Sequence, residues 1–199
     1  MNCPVSSHDK KNGRDGAVFL TWFWYFLIYS FVGFLIEVCY VHITGNAKRD
    51  RKCRLFLPIC PVYGLGALGL LCLPAEIQQT PWLLFPAAVF ICTGVEWFTG
   101  FFYEKVFRVC FWDYSHLPMH LGRHACLRFA LCWGILALLI FYLLHPWVTW
   151  LVMHIPPWLA PPAAAFLLVD TLLTAALLRR TRDTNVLRWY LRLSRHSPA

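Results

Sequence analysis

The chain has 199 residues and a formal net charge of +8, from 18 Lys and Arg against 10 Asp and Glu. Hydrophobic residues make up 59 % and charged residues 14 %, against roughly 45–50 % and about 25 % in a soluble domain. That imbalance leaves too little polar cover for a water-facing globule. It argues against a soluble enzyme, a disordered chain or a disulfide-stapled secreted domain, and for an integral membrane protein with short-looped helices.

A bilayer core requires about 20 apolar residues per helix. The first predicted span runs from Ala17 to Ile36 and continues through Glu37 to His42. No small-residue cleavage site follows it, so it reads as a retained helix rather than a signal peptide. The second, Phe56 to Leu73, opens on Pro58-Ile59-Cys60-Pro61-Val62-Tyr63-Gly64. Two prolines in four residues bar regular hydrogen bonding there. The segment is either broken backbone lining a cavity or a helix started by Pro61. The third span is Trp82 to Phe102 and the fourth Phe129 to Leu144. The fifth, Ala163 to Leu178, is short, so it tilts, thins the bilayer or extends past Arg179. Between the last two, His145 to Pro162 is apolar but broken by prolines, and its Trp147, Trp150 and Trp158 suit a membrane interface. It reads as an outer interfacial loop, with a sixth span as the alternative. None of these runs alternates as barrel strands do. The expectation is an all-α polytopic bundle of about five spans: residues 1–16 a short extracytoplasmic tail, 17–178 the transmembrane domain, 179–199 a basic cytoplasmic tail.

The cations choose between five spans and six. Lys48, Arg49, Arg51, Lys52 and Arg54 fall in the first loop, Lys105, Arg108, Arg123 and Arg128 in the third, and Arg179, Arg180, Arg182, Arg188, Arg192 and Arg195 in the C-terminal tail. Five spans put these 15 on one side and only Lys10, Lys11 and Arg14 on the other. The positive-inside rule then gives N-out/C-in. A sixth span would erase the bias. Because the charge follows topology, it indicates no nucleic-acid partner. The nine cysteines lie largely in apolar runs without a C-x-x-C pair, and read as small hydrophobes.

Ionisable side chains at membrane depth cost about 2.5–3.5 kcal/mol each and point to function. In the predicted orientation Glu37, Cys60, Tyr63, Glu96, Glu104, Asp113, Arg123 and Arg128 converge near the inner leaflet. Glu96, Gly100 and Glu104 follow i, i+4, i+8 and share a helical face, where Gly100 lets a neighbouring helix approach. Gly33 and Glu37 repeat the spacing, and Gly64 permits close packing at the second helix. Two readings stand. The acids form ion pairs with Arg54, Arg108, Arg123 and Arg128 that pin helix ends, or they line a polar cavity open to the cytoplasm that holds a cation, a proton or a headgroup. His116, His120 and His124 also have i, i+4, i+8 spacing, but Pro118 and Gly122 interrupt that helix, so interfacial histidines are favoured over a metal site. Asp170, in the middle of the fifth helix, is expected to pair with an Arg or be protonated. P-loop, G-x-S-x-G and H-E-x-x-H motifs are absent, so no ATPase, hydrolase or metalloprotease chemistry and no cofactor is expected.

The ordered set Ser30 to Glu37 (S-F-x-G-x-x-x-E), Pro58 to Gly64 (P-x-C-P-x-Y-G), Glu96 to Glu104 (E-x-x-x-G-x-x-x-E), Trp112 to Tyr114 (W-D-Y), Gly122-Arg123 and Trp133-Gly134 resembles the bacterial inner-membrane family named putative ABC-transporter type IV, or putative ABC transporter permease. The resemblance covers roughly residues 20–140 and leaves the fifth helix outside. It differs at His120, where the family pattern has Asn. It implies the membrane half of a transporter served by a separate ATPase subunit, with the polar cluster in the substrate pathway. So small a bundle would need a homo-oligomer for alternating access. The alternatives are a membrane enzyme or lipid-headgroup-binding protein, and a structural or regulatory membrane subunit.

Overall fold

The computed structural model describes residues 7–44 and 53–188. Lys48, Arg49, Arg51, Lys52, Arg192, Arg195 and the side chains of Lys10, Lys11 and Arg14 lie outside the described residues. Helix α1 (Ser7–Thr44) is a single helix of 38 residues with no proline to interrupt it. Helix α2 (Pro61–Leu71) begins at a proline, whose missing N–H is one the first turn leaves unbonded anyway. After the short α3 (Ala75–Gln78), α4 (Pro81–Phe102) continues into a π turn, Tyr103–Phe107, which ends where Arg108 turns left-handed at φ 56°. A two-stranded antiparallel hairpin, β1 (His120–Leu121) with β2 (Ala125–Cys126), leads into α5 (Leu127–Leu139). A π turn at Ile140–Leu144 joins α5 directly to α6 (His145–His154), and α7 (Ala160–Thr181) follows.

The all-α bundle stands, but its spans differ from the expected five. Four helical runs are long and apolar enough to cross a membrane: Val18–Thr44, Pro81–Phe107, Leu127–His154 and Pro157–Thr181. The second expected span contains only the 11 residues of α2 as helix, because Pro58 and Pro61 keep the preceding residues extended. Nor is His145–Pro162 an interfacial loop. Residues 145–154 prolong the fourth span, and the break comes at Ile155 and Pro156, both extended. The π turn widens the helix just before Pro146, where the ladder must lose a donor in any case.

Three of the four long helical runs point the same way, because α2 returns the chain between α1 and α4. Tyr40 packs on Phe129 while Tyr29 packs on His145, so α1 runs antiparallel to α5 and α6. The Arg179 guanidinium lies over the Phe107 ring, so α7 ends beside the end of α4. One end of the bundle therefore gathers the ends of α1, α4 and α7 together with the hairpin.

The chain from Arg54 to Cys60 is non-helical, with Ile59 and Cys60 buried and Phe56 and Pro58 exposed. The amides of Leu55, Phe56 and Leu57 are satisfied from α7. Asp170 Oδ1 accepts the Phe56 N–H at 2.9 Å and Oδ2 the Leu57 N–H at 3.3 Å. Thr174 Oγ1 accepts the Leu55 N–H, and Thr171 Oγ1 receives Arg54 Nη1 at 2.6 Å. Farther along, the Cys60 N–H donates to the Ser30 carbonyl at 2.8 Å. Asp170, 0 % exposed, thus neither forms an ion pair with Arg54 nor waits for one: its partners are two backbone amides, and Arg54 goes to Thr171. Replacing Asp170 by Leu should remove a buried acceptor from both amides and cost at least about 2 kcal/mol, at about 1–3 kcal/mol per lost buried partner. Asp170→Asn, which keeps one acceptor oxygen, should cost roughly half as much. Reversible unfolding in mixed micelles checks that order; a Leu variant as stable as the parent would mean that the amides have other partners.

Candidate functional site

A cavity of about 270 Å³ opens between α1, α2, α4 and α5, lined by Ile36, Glu37, Tyr40, Tyr63, Glu96, Phe129, Cys132, Trp133, Ile135, Leu136 and Leu139. Its geometry starts at Gly33. A side chain there would collide with the Tyr63 ring, so the glycine lets that ring lie flat on α1 one turn before Glu37. The Tyr63 hydroxyl then donates to Glu37 Oε1 at 2.8 Å. Gly64 meets Ser30 in the same close approach. Across the cavity, Glu96 of α4 is 1 % exposed. Its Oε1 accepts the Tyr114 hydroxyl at 2.8 Å and its Oε2 the Trp133 indole N–H at 2.9 Å. The Tyr63 and Trp133 rings, 4.7 Å apart between centroids, join the two carboxylates through one aromatic wall. These donors are neutral, and they orient the carboxyl oxygens and occupy their lone pairs.

A second cluster lies at the hairpin end. Glu104, on the π turn, meets Arg123 Nη1 at 3.3 Å and His124 Nε2 at 2.7 Å. Asp113 holds Arg123 Nη2 at 2.7 Å and accepts the Ser115 N–H at 2.9 Å. Gly100 makes this possible, because a Cβ there would stand 2.7 Å from His124 Nδ1 and 3.1 Å from Trp112. The element that comes close to Gly100 is therefore the hairpin and its approach, not the neighbouring helix that the spacing suggested. The ion pairs are partly exposed, and such pairs are each worth about 0–1 kcal/mol. The Ser115 hydroxyl and N–H, and then the Arg123 guanidinium, push the Asp113 carboxyl down to about 2.

The Trp112-Asp113-Tyr114 stretch connects the two groups. Trp112 Nε1 donates to the His124 carbonyl at 3.0 Å, Asp113 holds Arg123, and Tyr114 reaches Glu96 while its N–H bonds the Arg123 carbonyl. Of the expected convergence, then, Glu37, Tyr63 and Glu96 share the cavity, while Glu104, Asp113 and Arg123 share the hairpin cluster. Cys60 joins neither. It is fully buried at the start of α2, its Sγ 3.8 Å from that of Cys53. Arg128 is exposed and makes no ion pair among the described residues. Tyr114, Trp133 and His124 were not singled out as site residues, although the W-D-Y and W-G motifs contain the first two. His120 lies on β1 and His124 in the turn before β2, so their spacing is not that of a helical face.

These features define a multi-pass helical membrane protein with a buried acidic and aromatic cavity. Over residues 24–177 the chain matches the family described as Putative ABC-transporter type IV, and it belongs to that family. It is thereby an ABC-transporter-related membrane protein. The match extends past the expected residues 20–140 and takes in most of α7, Asp170 included. No match was found among curated proteins, and none among solved structures.

Tyr114→Phe or Trp133→Phe should each remove one donor from Glu96 and destabilise the fold by about 1–3 kcal/mol, read by thermal unfolding in detergent; a neutral effect of both would show that Glu96 does not depend on them. Asp113 supplies the pH dependence. Its folded value lies below the ordinary 3.8, so its stabilising effect is complete above pH of about 4 and is lost as the pH falls through about 2. Asp113→Asn should flatten that part of a melting-temperature profile between pH 5 and 2.

Proposed function

We propose that this protein is the permease-like membrane subunit of an ABC-type transporter in the bacterial cytoplasmic membrane, with the Glu37–Tyr63–Trp133–Glu96 cavity in its substrate pathway. The observation that carries the reading is that two buried carboxylates, from α1 and α4, face one cavity. Side chains so costly to bury suggest a task beyond packing. The sequence contains no phosphate-binding loop, so ATP hydrolysis is assigned to a separate subunit. With α2 returning the chain between the four longer spans, the number of crossings stays odd, and the cation count favours the N-terminus outside and the C-terminal basic tail, residues 179–199, in the cytoplasm. The Glu104–Arg123–Asp113 group then stands at the cytoplasmic end, where it braces the loop that brings Tyr114 to Glu96. A second reading, a protein that binds lipid headgroups without pumping them, is favoured by the mouth of the cavity, whose exposed residues Tyr40, Cys132, Ile135 and Leu139 lie on the outer surface of α1 and α5.

Purification from native membranes in mild detergent tests the proposal. An ATPase subunit should copurify, and Glu37→Gln and Glu96→Gln should assemble with it yet lower ATP turnover by about tenfold, the scale of a 1.4 kcal/mol loss. Copurification of no nucleotide-binding subunit, or full turnover in both variants, would overturn it.

A further inference from the structure

The hairpin end of the bundle has an open cavity of its own, about 480 Å³ in volume and lined by Glu104, Lys105, Arg108, Val109, Cys110 and Arg123. We infer that it binds the phosphate of an anionic phospholipid, whose acyl chains lie along the adjoining outer face of α4. The site requires only that this end of the bundle meet a membrane surface, so it stands or falls apart from the transport reading.

Three short segments bring the cations together. Lys105 comes from the π turn, Arg108 from the left-handed residue that ends it, and Arg123 from the turn between β1 and β2. Arg123 is partly committed, since Glu104 and Asp113 each take one of its Nη groups. Glu104, the acid of the lining, is itself engaged by Arg123 and His124. Lys105 and Arg108 form no ion pair among the described residues, and the Lys105 Nζ rests 5.6 Å from the centre of the Phe101 ring. Arg108 stands at φ 56°, a conformation that glycine adopts without strain and other residues avoid. A helix end favours a cation in general. That preference does not account for the cation sharing a cavity with Lys105 and Arg123.

The sign is secure against the rest of the chain. Residues 45–52 and 189–199, outside the described residues, contain six Lys and Arg against Asp50 as their acidic side chain. Whatever they contribute is basic in balance. Arg179, over the Phe107 ring, stands at the same end.

The donors and their surroundings set the kind of anion. Guanidinium and ammonium groups match the oxygens of a phosphate. Phe101, Phe102 and Val106 are exposed on the same stretch as Lys105, at the end of the apolar run Pro81–Phe107. A cationic cavity that adjoins apolar surface at the end of a span is placed where a headgroup meets its acyl chains. A soluble phosphate would use the cations and leave those three side chains uncovered.

The full-length protein in dodecyl maltoside is titrated calorimetrically with dioctanoyl phosphatidylglycerol, dioctanoyl phosphatidylcholine and glycerol phosphate. Phosphatidylglycerol should bind at least about tenfold more tightly than the other two, because it alone offers both a net negative charge and acyl chains. Lys105→Gln and Arg108→Gly should each weaken it about five- to tenfold and leave phosphatidylcholine unchanged. Arg108→Gly should melt no lower than the parent, since glycine suits that backbone, so its weaker binding would not come from unfolding. Arg182→Gly is the control. It removes the same charge from a like conformation, φ 52°, at the end of α7 and outside the cavity, and should leave binding nearly unchanged. An equal loss in Arg182→Gly would reduce the site to a diffuse basic surface and overturn it. Unchanged binding in both cavity variants, or phosphatidylcholine binding as tightly as phosphatidylglycerol, would overturn it too. Glycerol phosphate binding as tightly as the lipid would overturn the lipid and assign the cavity to a soluble phosphate.

Discussion

Inside a bilayer no water is at hand for a backbone N–H, and the structure is arranged around one place where that constraint is met without a helix. The Asp170 carboxylate takes the amides of Phe56 and Leu57. Insertion of a charged side chain costs about 2.5–3.5 kcal/mol, and hydrogen bonds to a charged group return about 1.5–3 kcal/mol each. Two such bonds roughly offset the cost, so the acid can remain at depth. The consequence is positional. With Leu57 held on α7 and the Cys60 N–H on the Ser30 carbonyl, α2 must begin beside the middle of α1. Tyr63 then falls opposite Gly33, and its hydroxyl arrives at Glu37. The cavity is thus a downstream result of an acid that does not line it.

This dependence explains why the sequence yields some features and withholds others. The all-α class, the buried acids and the close approaches at Gly33 and Gly100 follow from composition and from spacing within one helix. Such signals are local. The role of Asp170 is not local, because its amide partners lie more than 110 residues away and amides carry no sequence signature. Pro58 and Pro61 were compatible with broken backbone or with a proline-started helix; both descriptions apply, one on each side of Cys60. The run through Pro146 misled for a related reason. Proline ordinarily ends a helix, but a π turn, which composition does not announce, carries the chain past it.

Tyr114 and Trp133 present the opposite case. Their motifs were visible, yet an aromatic residue in an apolar run reads as packing. What makes them part of the site is one polar atom each, a phenol O–H and an indole N–H, aimed at the same carboxylate. Amphipathic aromatics can supply a wall and a donor together, and period or hydropathy counts record only the wall.

The two sequence-level readings of the acids, helix-end pins and cavity lining, then apply to different residues. Arg123 joins Glu104 on the π turn to Asp113 beyond it, a partly exposed arrangement suited to fixing the hairpin against α4. Glu96 receives its proton donors from Tyr114 and Trp133 instead, and Glu37 from Tyr63. A pin gains most when opposite charges cancel. A cavity wall gains most when its carboxyl groups are held in place before anything enters. Under the proposed reading the Trp112–Tyr114 stretch couples these roles mechanically. Its aspartate belongs to the pin, its tyrosine to the cavity, and the Tyr114 amide is bonded to the Arg123 carbonyl. On that same reading, a shift of the hairpin would be felt at Glu96, which gives a partner proposed to dock at that end a physical route to the cavity.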